Sequence, residues 1–320
     1  MKNRFIIISF SVLFSSCLKE EIAIPPHVQG DVTTNQVEMG TDYGQQIYFD
    51  LESNSVVKTN LKTDWDISFE CSEDGWHILL NTSLGGAAAN MNTTDFASVI
   101  SENNANWNWD HQKGYLDSTA IGDYRGSNNV YIIDRGYDLS GNQIGYKKAV
   151  FNQINNQSYE IRVANLDGSD ENTVIINKDI NVNFIAFSFD SNSIVDIEPN
   201  KEDWDLLFTQ YIHVFSNPTL PYLVTGVLLN RYNTSSVMDT VSTFEQITID
   251  NIPNYTFSSN LNTIGYDWKT YSFSNSNFTV LPEKNYIIKT QIEAYYKLHF
   301  IDYYNSLGEK GAPMFELQDL

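Results

Sequence analysis

One six-residue pattern occurs twice in this chain. Residues 64–69 read DWDISF and residues 203–208 read DWDLLF, with Lys62 and Lys201 two residues ahead of each. In a strand, alternate side chains face the same way. Trp65, Ile67 and Phe69 therefore share one side, and Asp66, Ser68 and Glu70 the other. Trp204, Leu206 and Phe208 repeat the first set. An aromatic-aliphatic-aromatic series at every second position loads a core with ring area. The pattern is therefore expected to be one structural strand built twice, with Trp65, Asp66, Trp204 and Asp205 as its fixed parts. A catalytic use of the aspartates would need a nearby His or Ser partner, and neither copy has one. Their carboxyls are expected to bind turn backbone or the Trp indole. Cys71, in register with Phe69, reads as a buried thiol.

The same cadence fills the rest of the chain. QIYFDLES alternates. DWDISFECSEDGWHILLN reads as a hairpin of strands 65–71 and 76–81. SLGGAAAN suits a tight bend or a close backbone approach. Further hairpins are expected to turn at 139–142 (LSGN) and 166–172 (LDGSDEN). YIHVF and PYLVTGVLLN read as a strand, a loop with two prolines and a buried strand. The C-terminal segment predicts a hairpin, another strand, a GEKG turn and a final edge strand. TTDFASVISENN is the best short-helix candidate. Aromatic residues make up 13% of the chain, and together with β-branched residues they favour strands, while Asn and Ser favour turns. The expectation is an all-β fold of antiparallel sheets and hairpins.

The charge is −21, from 40 acids and 19 bases. Such a surface repels phosphate backbones, so nucleic acid is excluded as a partner. The amino terminus carries MKNR, the apolar run FIIISFSVLF and then SSC. This is too short to span a bilayer and reads as a secretory signal. Small residues ending in Cys17 resemble a bacterial lipoprotein signal, which implies that Cys17 is lipidated and anchors the chain to a membrane. LKEE after it resembles the surface-export tag of Bacteroidetes lipoproteins, implying the outer face of the outer membrane. The expected organisation is a signal peptide at 1–17, a tether at 18–35 and an all-β domain at 36–320, with two possible lobes at 36–195 and 196–320.

YGQQIYFDLESNSVVKTN, TDWDISFECSEDGWHILLN and LGGAA together resemble the opening of HmuY-type haem-binding surface lipoproteins. YIIKTQIEAYYKLHFIDYYNSLGEKG is similar to that family's ending. The resemblance implies a palm-like all-β fold that holds haem between loops beside a TonB-dependent transporter, in an enlarged branch of the family. The family's axial ligands are His, and in some branches Met, on loops between the two ends. Where one such His would stand, this chain reads DLSGNQIGY, with Asn142.

Haem ligation needs a neutral imidazole aimed from a loop or strand end. His111, between tryptophans in NWNWDHQ, and His213, before the proline loop, are the candidate axial ligands. His27 falls in the tether. His77 reads as structural or surface, and His299 as solvent-facing with Lys297. Met91 and Met238 are weaker ligand candidates. LDGSDEN lacks the spacing of a calcium loop and reads as a turn, and no metal-ligand set is otherwise recognised. No nucleophile elbow, zinc-protease or phosphate-loop motif is present, so no catalytic role is expected. Three functions compete: capture of haem or a related tetrapyrrole for uptake, a non-haem binding or protein-interaction module of the same fold, and a carbohydrate-binding or carbohydrate-degrading surface component.

Overall fold

The computed structural model describes residues 29–320, so Cys17 and the signal segment lie outside the described residues. Strands dominate, joined by turns and short 3₁₀ segments. Four antiparallel sheets carry the architecture. One four-stranded sheet runs Ser193–Val195, Phe184–Ser188, Ile67–Glu70, Ile78–Leu80. Its counterpart runs Ser55–Leu61, Gln45–Asp50, Leu206–Ser216, Thr219–Leu229. A five-stranded sheet orders Asn172–Asn177, Ser158–Asn165, Tyr146–Asn155, Tyr131–Asp134, Ala87–Asn90. The other orders Thr33–Gln36, Lys310–Asp319, Tyr295–Tyr304, Asn285–Lys289, Ser235–Asp239.

The two pairs of sheets are built alike, and the reason is a duplication longer than the DWD hexapeptide. IYFDLESNSVV (47–57) matches IAFSFDSNSIV (185–195). Asn54 and Asn192 both take the left-handed conformation in the turn, at φ 51° and 50°. YIID at 131–134 matches YIIK at 286–289 except in its last residue. In each copy the middle Ile lies opposite a lysine, Ile132 against Lys148 and Ile287 against Lys297. Both lysines are 1% exposed. Lys148 donates to Val99 and Leu166 carbonyls over the Phe96 ring. Lys297 donates to Phe244 and Ile247 carbonyls over the Phe244 ring. A buried ammonium is tolerable only when its donors are matched in this way.

The copies exchange strands. Ile67–Glu70 pairs with Phe184–Ser188 from the second copy. Leu206–Phe208 pairs with Ile47–Phe49 from the first. Asn172–Asn177 closes the sheet of the first copy, and Thr33–Gln36 closes that of the second. Two main cores result. One is drawn from residues 67–189, with Phe69, Phe151, Tyr159 and Phe187 at its centre. The other joins residues 37–51 to residues 206–317, around Phe49, Phe208, Trp268 and Phe315. Strands before residue 62 thus pack with the C-terminal half, across the lobe boundary expected at 195/196. Residues 33–35, expected to end the tether, form a sheet strand together with Gln36. They cover Lys310–Asp319, which is therefore not the edge strand anticipated.

TTDFASVISENN does not form a helix. Asp95 accepts hydrogen bonds from the Ala97 and Ser98 amides and holds the segment in turns, the local competition that disfavours Asp and Ser in helix interiors. The expected hairpins at 139–142 and 166–172 form. The two-proline loop does not. Leu206–Ser216 and Thr219–Leu229 instead make one long hairpin turning at Asn217 and Pro218. Only its base pairs with the sheet. Phe215, Leu220, Tyr222 and Leu223 near its tip are exposed, so this part is not a buried strand.

Candidate functional site

The two DWD segments occupy equivalent frames. The Asp66 amide donates to Phe187 O and the Asp205 amide to Phe49 O. Asn81 Nδ2 donates to the Lys62 and Trp65 carbonyls, and Asn230 Nδ2 to the Lys201 and Trp204 carbonyls. Asp66 accepts from the Phe189 amide at 2.7 Å and Asp205 from the Leu51 amide at 3.0 Å. The carboxyls thus bind backbone, as expected. Neither indole goes to them: Trp65 Nε1 donates to Gln46 Oε1 across the lobes. Trp204 packs edge-on against Tyr48, with ring centroids 4.9 Å apart. Both tryptophans meet in the small cluster between the lobes.

Between the lobes lies a cavity of about 170 Å³. Tyr48, Trp65, Trp204, Asp110, Glu198 and Arg231 contribute to its walls. Burial pushes Asp110 up to about 6 and Glu198 up to about 7. The volume falls below the roughly 300 Å³ at which drug-sized ligand pockets begin. The cavity is open on one side, where His111, Gln112 and Tyr115 also line it.

His111 and His213 come from distant parts of the sequence and are brought together. His111 follows the buried Asp110, which accepts the Leu80 and Ala120 amides and fixes this loop on the first lobe. His213 stands on the projecting hairpin, opposite Tyr222. The two segments are tied by Gln112 Oε1, which accepts the Val214 amide at 3.3 Å. Burial lowers His213, and a charge on His111 adds to this; burial also lowers His111, with Lys113 adding to it. Both imidazoles are therefore held toward the neutral form that ligates iron. His111 stacks on Tyr115 at 4.9 Å and 18°. His213 sits against Phe215 and Tyr266 at 4.7 and 5.3 Å. His213 Nδ1 is shielded and unpartnered. His111 Nδ1 accepts the Lys113 amide at 3.2 Å, so ligation through Nε2 would give up that bond. Tyr115, Tyr222 and Tyr266 were not recognised from sequence as neighbours of the pair. The Asn217-Pro218 turn signal would have placed Phe215 and Tyr222 together at a hairpin tip.

The remaining candidates take structural places. His77 Nδ1 pairs with Glu70 at 2.5 Å. His299 does not face solvent beside Lys297: it stacks on Phe244 at 4.2 Å and bonds Glu316 at 2.8 Å. Trp107 stacks on Tyr146 and, with Met91, packs on the first lobe. Met238 lies on a sheet strand, part-exposed. Asp170 pairs with Lys147 and Glu171 with Arg162, as suits a turn. Cys71 is buried, and burial pushes its thiol up to about 11. Among the described residues, no helix is long and apolar enough to cross a membrane.

No curated protein matches the chain. Among solved structures it resembles apo PinO from Porphyromonas gingivitis, at 11% identity and TM-score 0.37, over 91% of this chain and 97% of that one. It also resembles an apo HmuY analogue from Tannerella forsythia, at 10% identity and TM-score 0.27, over 90% and 95%. A candidate HmuY-like heme-binding protein from Bacteroides vulgatus follows at 13% and 0.25, over 89% and 90%. Those likenesses are too distant to decide anything alone. The HmuY protein family model, however, matches residues 42–317, nearly the whole described chain, and the chain belongs to that family.

Proposed function

We propose that this chain is a lipid-anchored protein of the outer cell surface that captures haem or a related tetrapyrrole as cargo for uptake. The carrying observation is the convergence of His111 and His213, two imidazoles held toward neutrality, beside an exposed aromatic hairpin. His111 and His213 would hold the iron. Tyr115, Tyr222 and Phe215 supply flat apolar surface of the kind a porphyrin ring covers. Family membership supports the tetrapyrrole class. The lipoprotein signal ending at Cys17 supports the anchor, and the open, projecting site suits hand-over to a TonB-dependent transporter.

The test is an absorption titration with haem of the chain from residue 18 onward, which retains every described residue. One equivalent should give a saturating, shifted Soret band, and His111→Ala and His213→Ala should each change that band and weaken binding at least tenfold. No shift under oxidising or reducing conditions would remove the tetrapyrrole reading. It would leave the apolar hairpin as a docking surface of a non-haem interaction module, the competing reading.

A further inference from the structure

The duplication makes one difference between the copies conspicuous. In the first frame a cation is built in. Arg135 donates to Asp66 through Nε and Nη2 at 2.7 and 3.3 Å, and pairs through Nη1 with Asp190 at 2.8 Å. Asp205 is the counterpart of Asp66, and Glu52 that of Asp190 in the matched segments. Asp50 stands where the first frame has Ser188, adding a third acid. The residue after YIIK, in the place of Arg135, is Thr290. The second frame therefore has more negative charge than the first and has lost its guanidinium. Among the described residues, no salt bridge reaches Asp50, Glu52 or Asp205.

The local geometry independently points to a ligand. One oxygen from each of Asp50, Glu52 and Asp205 lies within 4.8 Å of the others. Thr290 is 1% exposed, and its Oγ1 has no hydrogen-bond partner. It faces the Glu52 carboxyl: burial raises that group, the neighbouring Asp50 adds to it, and Thr290 works against them. Both Glu52 carboxylate oxygens are also shielded and unpartnered. A buried hydroxyl and a carboxylate without partners are costly. A cation at their centre would satisfy them together.

We propose that Asp50, Glu52, Asp205 and Thr290 form a divalent-cation site of the calcium class, in which the ion takes the place that the Arg135 guanidinium holds in the first frame. All four donors are oxygen, which suits hard cations and disfavours zinc or copper. Calcium is favoured over magnesium, because magnesium demands near-ideal octahedral geometry and retains several waters, while calcium accepts irregular carboxylate sets. The site opens to a shallow surface hollow that Gln291, Glu202 and Asp203 help to line, so an ion can enter. Its role would be structural: Leu51 and Asp205 come from different copies, and the ion would clamp the exchanged strand to its host lobe. This site is separate from the His111–His213 pair and stands whether or not haem binds.

The experiment is a thermal melt at pH 7.5 of the chelator-treated chain from residue 18 onward, repeated with calcium chloride and with magnesium chloride. Calcium at about a hundredfold over its Kd should raise Tm by about 5 °C, and magnesium by less. Thr290→Arg, which restores the side chain of the first frame, should melt higher than wild type without metal and should lose the calcium shift. If that side chain proves too large to fold, Glu52→Gln should fold and lose most of the shift. Absence of a shift with either ion would overturn the proposal and leave a carboxyl pair sharing a proton. A shift of undiminished size in Glu52→Gln would overturn it as well, by placing the ion elsewhere.

Discussion

Asp66 and Asp205 sit in the same backbone frame and meet opposite electrostatic surroundings. Around Asp66, burial raises the carboxyl while Arg135 works against it. Around Asp205, burial and the neighbouring acids act in one direction and push it up to about 8. The frame was kept through duplication because it does backbone work: each aspartate ties a strand of the other copy to its own sheet. The countercharge was not kept. A repeated motif can preserve geometry while its charge balance diverges.

The largest effect is expected where the cation is built in. Arg135→Ala strands two carboxylates, one of them buried, and should cost about 3–5 kcal/mol in urea unfolding. A loss below about 1 kcal/mol would mean that the first frame does not depend on its countercharge, and the contrast between frames would collapse. Next come the tryptophans. Trp204 is 6% exposed, so Trp204→Ala should cost about 3–4 kcal/mol. Trp65 is only half-buried, and Trp65→Ala should cost about half as much. Equal losses would show that the two rings are equivalent in packing as well as in register.

A smaller effect separates the frames by pH. Without metal, burial and the neighbouring acids push the folded Asp205 up to about 8, above its value of about 3.9 when unfolded. The folded state therefore binds the extra proton, and stability present below pH 4 is lost as pH rises toward 8. Asp110 and Glu198, raised to about 6 and about 7, lose stability in the same sense. In Thr290→Arg the Asp205 share should vanish, flattening the curve as pH rises toward 8. The shares of Asp110 and Glu198 should remain. An unchanged slope would show that the second frame is already neutralised in some other way.

Much of this fold could be read from the residues, because alternation and turn chemistry are local. The Trp65-Ile67-Phe69 series, the hairpins turning at 139–142 and 166–172, and the buried Cys71 all follow from period two and from Gly, Asn and Asp at turns. The exchange of strands could not be read in that way. Gln45–Asp50 and Phe184–Ser188 look like ordinary strands, and only pairing partners far away in sequence reveal which lobe each serves. Lys297 and His299 were misplaced for a related reason: alternation gives the face of a strand, not what the Phe244 segment lays over it. Of the candidate site, His111 and His213 were visible as loop and strand-end imidazoles. Their proximity depends on the projecting hairpin, which the two prolines disguised as a loop. Thr290 carried no signal alone. It gains meaning only once YIIK is aligned on YIID and Arg135 is seen to have no counterpart.

The two DWD segments are equivalent structural frames of one duplicated, strand-exchanged unit. Asn81 and Asn230, 2% and 0% exposed, are the side chains that hold the two frames shut. The measurement that tests this is urea unfolding of Asn81→Ala and Asn230→Ala beside wild type. Each variant should lose about 3 kcal/mol, since two backbone carbonyls are left unpaired, and the two losses should be alike. A variant as stable as wild type would show that the frames are not held by these side chains.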